Sequence, residues 1–219
     1  MEPVLIDVYS DTVCPWCFLG KRRLELAVAS RPQYDSKVRW RPFELNPDIP
    51  LDGLPRAAFL ASRGLDPARV AQIDAELMRL GTASGIQFRF DLIQRIPNTR
   101  FSHLLLAFAE RHGLQSEVND QIMRAYFEEG VNIGDVDELA RLGALVGLPE
   151  SESRNALILR AGQDGVMAAE RHATQLGITG VPSFVFDRRY TISGAQEAAA
   201  FAQVLDQVAQ LAAGLETSP

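Results

Sequence analysis

The chain has 219 residues, 47% hydrophobic and 23% charged, with a net charge of -6. This is a soluble globular composition, long enough for one large or two small cores, and its negative charge excludes nucleic acid as a main partner because phosphate recognition needs clustered Lys and Arg. The apolar run LLLAFA from Leu104 is too short to cross a bilayer, and the N-terminus lacks a basic segment followed by an apolar one, so a cytoplasmic protein without membrane contact is expected.

In chain order, Pro3–Asp11 reads as a strand with Val4, Ile6 and Val8 on one face. A helix follows from about Cys14, with Pro15 in the first turn, where its missing N–H costs nothing. Lys37–Asn46 reads as a second strand, completing a βαβ unit. NPDIPLDGLP, from Asn46, reads as a linker. A helix is expected behind the N-cap Asp66, with Val70, Ile73, Leu77 and Leu80 on its apolar face and Gly81 as its stop. Further helices are expected at Thr99–His112, Gln115–Glu129, Val136–Val146 and Glu150–Arg160, punctuated by Gly113, Gly130 and Gly147. Another ends at Gly177. Two short strands surround an Asp187-Arg188-Arg189 turn, and an amphipathic helix beginning near Ala195 closes the chain.

The strand signals at the two ends predict an α/β fold, βαβ…αββα, interrupted by an all-helical insertion. One discontinuous domain is expected over 1–50 plus 164–219, and the helical insertion over 51–163.

The chain has two cysteines, Cys14 and Cys17, three apart and separated by Pro15 and Trp16. Two cysteines are too few for a structural disulfide framework. At i and i+3 near a helix start, both side chains share one face and can form a disulfide. The first helical turn offers unpaired N–H groups and the positive end of the helix dipole, a setting that favours a thiolate. Cys17, one turn further in, is expected to be more buried and to resolve mixed disulfides. Zinc is the competing chemistry of such a pair. It takes four ligands, no second cysteine pair exists, and His103, His112 and His172 are scattered, so redox chemistry takes precedence and no metal is expected.

SDTVCPWCFLG, FELNP, YFEEGVNIGD, GVPSFVF and SGAQ occur in that order along nearly the whole chain. Together they resemble the FrnE branch of the DsbA-like thioredoxin-fold family, whose relatives include 2-hydroxychromene-2-carboxylate isomerases and kappa-class glutathione transferases. The resemblance implies a thioredoxin-like fold with a helical insertion and thiol–disulfide chemistry with no required cofactor. It also implies that Val181–Pro182 is a cis-proline loop, with the Val181 backbone facing Cys14 and pairing with an extended substrate. Asp7 is the counterpart candidate for the buried first-strand acid of such proteins. Trp16 is expected to face substrate. Asn46 matches the position near which the relatives hold glutathione, and Ala195 and Gln196 match their carboxylate-binding turn at a helix N-terminus. Residues Asn98–His103 read as a helix start facing the cleft.

The function expected is a thiol–disulfide oxidoreductase or isomerase acting on protein or small-molecule thiols and disulfides, as a monomer or homodimer, with glutathione a candidate redox partner or co-substrate. A glutathione-dependent isomerase or transferase is the alternative, and those relatives carry Ser where Cys14 stands. A non-catalytic peptide-binding module or chaperone is the third reading, which an intact CxxC pair disfavours.

Overall fold

The computed structural model describes residues 3–216. Its elements run β1 (Val4–Ser10), α1 (Pro15–Ala29), β2 (Ser36–Pro42), β3 (Leu54–Pro55), α2 (Arg56–Ser62), α3 (Pro67–Ala83) and β4 (Arg95–Ile96). There follow α4 (Arg100–Arg111), α5 (Gln115–Glu129), α6 (Val136–Leu145), α7 (Glu150–Ile158), α8 (Gln163–Gln175), β5 (Ser183–Phe186), β6 (Tyr190–Ser193) and α9 (Ala198–Glu216).

The main sheet has the order β2-β1-β5-β6 among the described residues. β1 and β2 are parallel, and β5 runs antiparallel to β1 with Ile6 opposite Phe186 and Val8 opposite Phe184. β5 and β6 form a hairpin whose turn places Asp187 and Arg188 at positive φ. That turn is locked to β1, because the Asp187 carboxylate and N–H pair with the Leu5 N–H and carbonyl at 2.8 Å each.

Alternation along β1 sorts its side chains between two layers. Val4, Ile6 and Val8 pack with Phe184 and Phe186 against Leu24 and Ala27 of α1 and Phe201, Leu205 and Val208 of α9. Tyr9 points to the opposite face and packs with Ala173 of α8 and Ile178. β2 lies at the sheet edge, and Gln115 closes it: the side-chain amide accepts the Trp40 N–H at 2.9 Å and donates to the Trp40 carbonyl at 3.0 Å.

A third core begins at Cys14, Cys17, Phe18 and Leu19 and runs into the helical region through Leu77, Phe88, Phe127, Leu139 and Leu157 to Val166. Phe18 stacks on Phe127 and meets Phe88 edge-on, both at 5.9 Å between centroids. The α1 face carrying the thiols is therefore built on the helical region as well as on the sheet.

Several elements depart from the expectations. β2 ends at Pro42 rather than Asn46. α2, which begins directly after the expected linker where no separate element is expected, is a seven-residue helix with no buried residue and no side-chain cap, so it carries neither amphipathic nor capping signal. Gly81 does not stop α3, which continues to Ala83. It is a close-approach position instead, since a Cβ there would fall 2.6 Å from the Phe88 ring. α9 begins at Ala198, not at Ala195, with the Glu197 carbonyl accepting the Ala200 N–H. β3 and β4 form a two-residue antiparallel pair within the helical region.

Candidate active site

The turn after β1 delivers Cys14 to the N-cap of α1, with Pro15 following in the first turn. Cys14 Sγ accepts the Cys17 N–H at 3.3 Å. It replaces the side-chain oxygen that usually caps a helix, so the N–H and the helix terminus place positive potential on this sulfur. The Cys14 N–H donates to the Asp11 carbonyl at 3.1 Å, which fixes the turn. Both thiols are free and buried, Cys14 at 4% exposure and Cys17 at 1%, so the difference in exposure expected between them is small. Burial pushes the Cys17 thiol well above its usual range, reinforced by Cys14, while the Asp11 N–H and the Ser10 hydroxyl act the other way.

The Val181–Pro182 peptide bond is cis. The Val181 carbonyl oxygen lies 3.9 Å from Cys14 Sγ. Pro182 is buried, Val181 and Pro15 are half-buried, and Trp16 is 39% exposed beside the thiols. The sequence-predicted Cys14, Cys17, Pro15, Trp16, Val181 and Pro182 therefore meet in one place.

Gly20 is the junction of that place. A Cβ on it would stand 2.9 Å from Phe184, 3.3 Å from Pro182 and 3.5 Å from the Ala195 backbone. Helix propensity alone favours alanine there by about 1 kcal/mol. Overpacking against a buried ring and a proline loop costs about 1–3 kcal/mol and prevails. Gly20→Ala is expected to lower the urea unfolding midpoint and to slow exchange at the thiols. An unchanged midpoint would contradict the close packing of α1 on the cis-proline loop.

The other predicted site residues are held by other partners. Asp7 sits on the β1 face opposite α1, where its carboxylate accepts from Arg39 at 2.8 and 2.7 Å and from Arg41 at 2.8 Å. The groups that act on the Cys17 thiol are Cys14, Asp11 and Ser10, and Asp7 is not among them. Asn46 Oδ1 accepts from Arg63 at 2.6 Å, and its carbonyl accepts the Ile49 N–H. Its neighbour Leu45 donates its N–H to the Asp11 carboxylate at 2.7 Å, which ties this segment to the thiol turn. The Ala195 carbonyl accepts from the buried Arg23 at 2.6 Å. Gln196 is exposed, precedes α9, and donates to the Ser193 carbonyl at 3.0 Å.

His103 does not open onto the thiol side. It is 3% exposed and its Nε2 stands 3.4 Å from Asp11 Oδ1. Ser10 and Asp11 are the neighbours of the thiols that reading the sequence passed over. Their signal was present as the polar pair closing an apolar strand, three residues before Cys14. Among the described residues no group of three or more His, Cys, Asp or Glu side chains could hold a metal ion.

Two free thiols one turn apart at the start of one helix have the spacing that a dithiol–disulfide couple requires, and the scaffold around them is that of a thioredoxin-like oxidoreductase. The chain belongs to the DSBA-like thioredoxin domain family, whose sequence model matches residues 5–206. It is 33% identical over 183 residues to the uncharacterized protein YwbO of Bacillus subtilis (strain 168), covering 83% of this chain and 86% of that one. Among solved structures it is similar to a probable DsbA oxidoreductase, SCO1869, from Streptomyces coelicolor, with 34% identity, a TM-score of 0.87, and 99% of this chain and 92% of that chain covered. The fold is also that of the cytosolic disulfide reductase DsbM from Pseudomonas aeruginosa with GSH, at a TM-score of 0.66 and 22% identity, covering 97% of this chain and 99% of that one. No described helix is long and apolar enough to cross a membrane.

Proposed function

We propose that this protein is a thiol–disulfide oxidoreductase or isomerase in which Cys14 exchanges with substrate and Cys17 resolves. The observation that carries this reading is the asymmetry of the pair. Cys14 Sγ holds the N-cap position and accepts an N–H at 3.3 Å, whereas burial keeps Cys17 in its thiol form. The thiolate is the nucleophile, and with Cys17 held as the thiol the attacking sulfur is assigned to Cys14. The Val181 backbone beside Cys14 is suited to align an extended substrate chain, with Trp16 as an exposed aromatic contact. Cys14 in place of serine favours this chemistry over a glutathione-dependent isomerase or transferase.

The substrates are protein or small-molecule disulfides and thiols, and no cofactor is required. Glutathione is the redox partner this reading favours, supported by the likeness in fold to a disulfide reductase solved with GSH. The Asn46 segment and the Ala195–Gln196 turn are its proposed contacts. Asp7 acts through its ion pairs with Arg39 and Arg41 rather than at the thiols. A cytoplasmic location, a thioredoxin-like unit of 1–50 plus 164–219 and an insertion of 51–163 complete the reading.

The reduced protein is expected to lose both thiols when titrated with glutathione disulfide, releasing two equivalents of glutathione per chain. Thiol counting across a series of glutathione buffers gives its direction of operation. A pair that stays reduced in every buffer would sink the reading.

A further inference from the structure

One face of the main sheet carries more cations than carboxylates, on a chain whose net charge is -6. Val38 and Trp40 of β2 pack into the core under α1 and α9, so Lys37, Arg39 and Arg41 stand on the opposite face. Register carries that face across the sheet: Arg39 lies beside Asp7, Asp7 beside Val185, and Val185 beside Thr191. The next row toward the thiols runs from Arg41 through Tyr9 and Ser183 to Ser193. Asp7 is shared between Arg39 and Arg41, Glu110 stands 4.0 Å from Arg41, and Asp187 is turned to the Leu5 N–H. Lys37, and Arg188 in the β5–β6 turn, are exposed and have no ion-pair partner among the described residues. They share one end of the sheet, because Leu5 pairs with both Lys37 and the Asp187 turn.

This face is continuous with the thiol site. A cleft of about 520 Å³ is lined at one end by Val181 and Pro182, along its floor by Ser183, Ser193, Val185 and Thr191, and at the other end by Arg188. β6 is the edge of the sheet, so the cleft is open on that side. Its floor is one four-residue strand long, roughly 13 Å at about 3.3 Å per residue. A chain whose cysteine meets Cys14 beside Val181, and which lies extended over β5, reaches Arg188 with about its fourth or fifth residue. Thr191 and Ser193 are exposed and offer hydroxyls to such a chain, and the half-buried Val181 and Val185 give it apolar contact.

Resting on the disulfide-exchange reading above, we propose that this cleft docks the extended polypeptide flanking a substrate's reactive cysteine, and that it selects polypeptides carrying carboxylate side chains about four or five residues from that cysteine. Arg188 meets those carboxylates at the far end of the cleft, and Lys37 adds its charge from two strands away. The opposite charges align the chain over β5 and so hold its sulfur at Cys14. Steering by the net charge of the whole molecule runs the other way, since an acidic protein draws a basic substrate. The sign of the preference therefore separates docking on this face from general electrostatics.

The test uses three peptides, each with one cysteine held as a mixed disulfide with thionitrobenzoate. They carry Glu, Gln or Lys at the fourth and fifth positions on both sides of the cysteine. Release of thionitrobenzoate by the reduced protein is followed by absorbance, and each rate is divided by the rate with dithiothreitol to remove the effect of peptide charge on intrinsic reactivity. The Glu peptide is expected to react about three- to tenfold faster than the Lys peptide, with Gln between, the order expected for a few exposed charge pairs. Raising the salt to about 0.5 M is expected to shrink the difference. Arg188→Asp, which keeps a residue tolerant of positive φ at that turn, is expected to abolish the preference, and Lys37→Glu to reduce it. A Lys peptide that reacts as fast as the Glu peptide or faster overturns the proposal, as does a Glu preference that survives in both variants. Equal rates, with a dimer in sedimentation that Arg188→Asp dissociates, assign the face to a second copy of the chain and overturn it too. Equal rates in a protein that still exchanges with glutathione disulfide overturn the docking alone; a protein that exchanges with none of these disulfides overturns the function reading as well.

Discussion

Cys14→Ser is expected to reduce disulfide exchange to background, with insulin or glutathione disulfide as reporter. Cys17→Ser is expected instead to accumulate a mixed disulfide on Cys14, seen by mass spectrometry as the chain plus one substrate thiol. The two outcomes differ because the thiols do different work. Cys14 sits at the N-cap beside the Val181 carbonyl, where its sulfur accepts the Cys17 N–H. Cys17 is one turn deeper and raised by burial, so it attacks only once a mixed disulfide has formed beside it. Removing it leaves attack intact and resolution blocked. Alkylation at neutral pH should follow the same order, labelling Cys14 well before Cys17. Full exchange by Cys14→Ser, or a mixed disulfide trapped on Cys17, would reverse the assignment.

Phe127→Ala is expected to cost about 3–5 kcal/mol, the range for truncating a buried aromatic ring. Phe127 is 1% exposed and meets four other rings: Phe18 of α1, Phe88, Phe90 and Tyr126. The cavity would open where the thiol-bearing helix rests on the helical region. For a chain of this size the loss corresponds to a fall in melting temperature of about 6–20 °C. The core runs unbroken from Cys17 and Phe18 through Phe127 to Leu157, so both regions should melt in one transition. Calorimetry giving two separated transitions, with only one shifted, would show that this core does not couple them.

Local rules made much of the architecture legible before any coordinates. Val4, Ile6 and Val8 alternate, and they do line one face of β1. Asp66 caps α3 through a bond from the Ala68 N–H, as a short polar side chain ahead of Pro67 implies. The long helices α4, α5 and α6 follow periods in their apolar residues that need no distant partner. Where local signals are weak, reading failed. α2 buries nothing, and Gly81 looks like a stop because a close approach to Phe88 leaves no trace in neighbouring residues.

The sequence by itself determined that two cysteines stand at the first turn of a helix behind a strand, since spacing, Pro15 and strand alternation are all local. The cis-proline partner was legible only through a resemblance spanning the chain. Tertiary structure alone decided which polar residues stand beside the thiols. Asp7 and Asp11 are both acids at the β1 end of the chain, yet strand alternation and the parallel β2 give Asp7 to Arg39 and Arg41, while the turn carries Asp11 inward to His103. The hydroxyls of Thr12 and Ser102 meet at 2.7 Å in that same packing, with a sequence separation of 90. A charge takes its meaning from what surrounds it, because burial sets both its desolvation and the reach of its field, and burial is a property of the packed chain.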